Sequence, residues 1–187
     1  MNVEVTPDTF THVDFSAEVI ADIVNEVGRA LGVDDDLAVR VEVDETTPLG
    51  RSSLASLDPV VITVESGALE DSKRPRQLST MDTAKVLGML LARVHDRRTA
   101  AFGDAPDDAD LTPHHANAWD TYAAGRLVRL GYTSYDDRQR RLYHFRNRHG
   151  FSDVGDAAFE QLWTSDGLTW AQITALSDDA AAAVVPA

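Results

Sequence analysis

The sequence predicts an α+β fold: a helix, two short strands and a long helix, followed by a helical C-terminal extension. Three observations carry this prediction. Apolar residues recur at three- and four-residue steps over 16–31. Two short stretches, 37–43 and 59–65, have the alternating or β-branched character of strands. From residue 80 onward the pattern is helical, punctuated by glycine and proline.

In order, Val19, Ile20, Ile23, Val24, Val27 and Leu31 form one face of the first helix and Glu18, Asp22 and Glu26 the other, with Gly32 as its terminator. The run 37–43 alternates strictly, as a strand with one buried face does, and Thr47-Pro48-Leu49-Gly50 breaks it. The run 59–65 is continuously apolar and β-branched, which predicts a more buried strand. Residues 68–78 are charged, contain Pro75 and read as an exposed connector. A long helix follows over 80–98, capped by Ser79 or Thr80, with Asp82 in its first turn.

The stretch 104–110 is an acidic, solvated loop that lacks the ligand alternation and closing glutamate of a calcium loop. Thr112-Pro113 starts another helix, with Trp119, Tyr122, Ala123, Leu127 and Leu130 on its apolar face and Gly131 at its end. Ser134 is expected to cap a helix that runs to about His149, with Tyr135, Leu142, Phe145 and His149 on one face. Shorter helices are expected over 154–164 and 170–177. Thr169 and Gln172 form a capping box for the last, Leu168 and Ile173 a hydrophobic staple, and the tail 180–187 is expected to fray. The expected organisation is an α+β part at 1–131 with a helical extension at 132–187 packed on it, or one single domain overall.

Composition bounds the chemistry. The lack of cysteine in 187 residues excludes disulfides, iron–sulfur clusters and thiolate zinc sites. No apolar run is long enough to span a membrane, and the opening MNVEVTPDTF has neither the cationic start nor the apolar middle of a signal peptide. A cytoplasmic location is therefore expected. A net charge of −14 argues against general nucleic-acid binding, because attraction to phosphate supplies most non-specific affinity. No G-x-S-x-G turn surrounds Ser52, Ser53 or Ser56, and no glycine-rich phosphate loop occurs.

The order helix, strand, strand, connector, long helix, helix resembles the small zincin-like metallopeptidase domains, in which an edge strand precedes a helix bearing His-Glu-x-x-His. There the two histidines share one metal and the glutamate activates its water. The matching stretch here is Leu91-Ala92-Arg93-Val94-His95. His95 holds the second histidine position, Leu91 replaces the first, and Ala92 replaces the glutamate. Residues 117–131 extend the resemblance. Asp120, Ala123 and the apolar positions fit a helix of the form E-x-x-A-D-x-x-A, with Ala116 about where its glutamate ligand would stand. The resemblance covers about residues 16–131. It implies a degenerate domain without the His-Glu-x-x-His motif, with no catalytic residue and no cofactor, acting through a protein partner or in regulation.

Two other readings remain open. An unconventional metal-dependent hydrolase would hold zinc with His95, His115 and Asp120. Against it, His115 and Asp120 are five apart, and His95 near a helix C-terminus also interacts favourably with the helix dipole. The second arises from 138–149, which holds five arginines and no acid. Arg138, Arg141 and Arg148 are its candidates for an anionic ligand, an acidic partner or nucleic acid, unless they pair with the chain's own aspartates. A DNA-reading helix-turn-helix is disfavoured, since the helix at 170–177 carries no base-reading residue apart from Gln172. The aromatic residues of the second half are expected in its core.

Overall fold

A computed structural model describes residues 1–132 and 137–183. The chain divides into two compact units, Met1–His95 and Asp96–Ala187, so the division falls earlier than 131/132. The helix following Thr112 shares a core with the helices after it.

The first unit contains β1 (Asn2–Thr6), α1 (Ala17–Leu31), β2 (Ala38–Asp44), β3 (Ser52–Leu57), β4 (Val60–Glu65), β5 (Glu70–Asp71), β6 (Arg74–Leu78) and most of α2 (Thr80–Arg98). Its main sheet has the order β1-β2-β4-β3. β1, β2 and β4 run parallel, in a register that pairs Asn2 with Ala38 and Val39 with Val60, while β3 returns antiparallel to β4. Alternation along β2 does what its sequence dictates: Val39, Val41 and Val43 enter the core, and Arg40, Glu42 and Asp44 stay outside. Val60, Ile62 and Val64 of β4 join them. Ile20, Val24, Val27 and Leu31 of α1 are buried too.

α1 is capped as its sequence requires. The Ser16 side chain accepts from the Val19 N–H, and Gly32 ends the helix in the left-handed region at φ 79°, where a side chain would be strained. Two strands of the main sheet carry too weak a pattern to be read from sequence. β1 is only five residues long, and its partner lies 36 positions on. β3, Ser-Ser-Leu-Ala-Ser-Leu, has little β-branching and becomes a strand by folding back on β4, with an irregular register between Leu54 and Ser56. The connector 68–78 is more ordered than expected, since β5 and β6 pair within it, although 72–77 are exposed.

The second unit holds the end of α2 with α3 (Pro113–Arg129), α4 (Asp137–His149), α5 (Asp153–Thr164) and α6 (Trp170–Ala182). Trp119, Tyr122, Phe145, Phe159, Leu162 and Ile173 fill its core, whereas Tyr143, expected there with the other aromatic residues, lies exposed on α4. Caps again follow side-chain chemistry: Thr112 accepts from the His115 N–H at 3.1 Å and Ser152 from the Gly155 N–H at 3.0 Å. The capping box of Thr169 and Gln172 is formed. Ser134 and Tyr135 lie outside the described residues, as do tail residues 184–187. α6 continues to Ala182, beyond 177, with Ala180 buried in the core.

Gly125 of α3 is where two helices touch backbone to backbone. A Cβ there would stand 2.1 Å from the Trp163 carbonyl oxygen of α5. That oxygen also accepts from Arg129, so it is held in place. Gly125→Ala is therefore expected to destabilise the second unit by about 1–3 kcal/mol, read as a lower urea midpoint. An unchanged midpoint would mean that α5 slides freely on α3.

Candidate functional site

α2 is a core helix. Leu87, Leu91, Ala92 and Val94 are fully buried, as is the Thr83 side chain. Leu91 and Ala92, where the zincin resemblance calls for a metal ligand and a base, are apolar and closed to solvent. His95 is half-buried; its Cε1 lies 3.5 Å from where a Cβ on Gly32 would stand, beside the end of α1.

The other residues of the metal reading belong to the second unit, and their spacing of five along α3 sends them to different neighbours. His115 turns to α6, where its Nε2 meets Asp178 Oδ1 at 2.8 Å and its ring stands edge-on to Trp170. Asp120 turns to α4 and lies 3.7 Å from Arg141. Among the described residues, no group of three or more His, Cys, Asp or Glu side chains is placed to hold a metal ion.

The arginines of α4 divide in two. Arg138 pairs with Glu160 and covers the Phe159 ring, Arg141 faces Asp120, and Arg146 bonds Asp156 through Nε at 2.7 Å. The hydrogen bond from Arg146 holds the Asp156 carboxyl below the usual carboxylate range. These pairs neutralise the charge of the three arginines locally. Arg148 stays exposed, as does Arg140. Two of the three arginines expected to bind an anion thus already face carboxylates of their own unit.

Three polar features escape a reading from sequence. In the second unit, buried Asp96 accepts from Arg126 Nη1 and Nη2, both at 2.7 Å, and from Trp119 Nε1 at 2.8 Å. The neighbouring Arg97 lies over the Trp119 ring and bonds Asp108 at 2.6 Å, which ties down the acidic loop read as a solvated linker. Second, buried His149 stacks on Phe145. Its Nε2 lies 2.9 Å from Ser177 Oγ, and its Nδ1 is 3.3 Å from the Phe145 carbonyl. A serine on a histidine nitrogen is the geometry of an activated nucleophile. Ser177, however, is 0% exposed, so here the pair satisfies two buried polar groups.

The third is a groove of about 960 Å³ in the first unit, over the carboxyl ends of β1, β2 and β4. Glu42, Asp44, Glu65, Thr63 and Ser53 line it, the last two joined by a 2.7 Å hydroxyl–hydroxyl bond. Asp44 is occupied by the Thr46 and Thr47 hydroxyls, which hold its carboxyl below the usual range. The strict alternation of 38–44 was the available signal, since it places Glu42 and Asp44 together on the face away from the core.

Among the described residues no helix is long and apolar enough to cross a membrane. Comparison of the chain with models of protein families, with curated proteins and with solved structures finds no match.

Proposed function

We propose that the chain is a non-catalytic, zincin-like α+β domain with a helical extension, and that it works by contact with another protein. The observation that carries the reading is the complete burial of Leu91 and Ala92 on α2. A catalytic zinc needs about three protein ligands, an open position for water and a general base. A leucine and an alanine supply neither ligand nor base. The antiparallel edge strand β3, preceding β4 and α2, also supports the resemblance in element order.

The test is elemental analysis of the chain purified without chelators, together with a peptide-hydrolysis assay. Substoichiometric zinc and no cleavage are expected. One zinc per chain, or cleavage abolished by His95→Ala, would overturn the proposal.

A further inference from the structure

The outer face of α4 remains after the core, the ion pairs and the caps have been assigned. We infer that this face, continued by Phe151, docks an acidic segment of a partner protein; the inference rests on the protein-contact reading above and names the surface and the chemistry of its occupant. Tyr143 is 59% exposed and Phe151 66%. Arg140, His144 and Arg148 are exposed on the same helix, at steps of four residues that align them in one row, with Tyr143 and Asn147 alongside. The opposite face, with Phe145 and His149, is anchored in the core, so the outer face is presented on a fixed helix.

Charge identifies the occupant. Arg138, Arg141 and Arg146 are answered by Glu160, Asp120 and Asp156. Among the described residues, Arg140 and Arg148 have no carboxylate within ion-pairing distance. They stand roughly 12 Å apart along the helix, with tyrosine between them. Tyrosine, phenylalanine and arginine are the residue types that concentrate binding energy at protein interfaces. The matching partner is an amphipathic helix with two carboxylates about two turns apart and an apolar side chain between them.

Nucleic acid fits less well. Two unanswered arginines release few counterions, and an extended polyanion would meet the repulsion of a chain carrying −14. A short acidic segment engages the stripe alone.

The experiment is fluorescence anisotropy of the full chain with a labelled helical peptide bearing glutamates at i and i+8 and leucines between. Binding is expected to weaken at least about tenfold in the Arg140→Glu/Arg148→Glu variant. It should weaken likewise in Tyr143→Ser/Phe151→Ser, which keeps the arginines should charge reversal disturb folding. Arg40→Glu, on the first unit, should leave it unchanged. Equal binding by all variants would overturn the inference. So would tighter binding of a single-stranded RNA or DNA than of the peptide. Sedimentation showing self-association of the wild type, lost in the arginine variant, would make a second copy the occupant and overturn it too. A chain that carries zinc yet binds the peptide would sink the non-catalytic reading alone; a metal-free chain that ignores the peptide would sink only this one.

Discussion

Asp96→Ala is expected to lower the unfolding free energy of the second unit by about 3–5 kcal/mol, the loss that follows when one partner of a buried ion pair is removed. The carboxylate answers both terminal nitrogens of Arg126 and the indole N–H of Trp119. Without it the guanidinium, which also lies over the Tyr122 ring, keeps its charge in a place largely closed to water. The damage comes from the charge left behind, so removing that charge as well should repair much of it. Asp96→Leu/Arg126→Met is expected to be clearly more stable than Asp96→Ala, its remaining deficit reflecting the indole N–H left without an acceptor. Urea unfolding followed by tryptophan fluorescence measures both. A loss under about 1 kcal/mol for Asp96→Ala would place the pair with ordinary surface bridges.

Acid is expected to weaken the second unit through His149. Burial, the largest cause, pushes its pKa down to about 4, with repulsion from His114 and Arg148 acting in the same direction and the Phe145 carbonyl opposing them. The histidine is neutral in the fold and takes its proton more readily once unfolded. Its contribution is therefore complete above pH 6.5 and is lost as pH falls toward 4. Over that window the linkage amounts to about 3 kcal/mol. His149→Gln should flatten the dependence of unfolding free energy on pH between 7 and 4.5, relative to wild type. Parallel curves for the two proteins would show that the ring does not control acid sensitivity. The hydrogen-bonded carboxylates Asp44, Glu45, Asp71 and Asp156, whose pKa values are lowered, lose their contribution below about pH 5, so the upper part of the window, between about pH 6.5 and 5, belongs to the histidine.

What could be read from the sequence follows the range of the interaction responsible. α2 runs from Thr80 to Arg98 as its local pattern says, and β2 obeys its alternation almost to the residue. The capping box at Thr169 is a three-residue matter and was legible. β1 was not, because five residues with two valines become a strand only against β2, far along the chain. β3 owes its form to β4 in the same way. Sites divide likewise. The arginine run of α4 is plain in the sequence, but which of its members are neutralised depends on α3 and α5. Asp96 looked like one more acid in an acidic chain until Arg126, thirty residues on, met it in three dimensions. His149 was legible as a member of an apolar face, whereas its bond to Ser177 of α6 was not.

The interrupted register of β3 bears on how the molecule behaves at high concentration. Sheet rims invite lateral stacking with other chains, the first step toward fibres, and a bulge is one of the ways proteins discourage it. Here the interruption between Leu54 and Ser56 falls on one of the two edge strands of the main sheet, amid small hydroxyl-bearing residues poor in β-branching. Excising Ala55 to straighten that ladder would turn a poor template for amyloid-like growth into a better one.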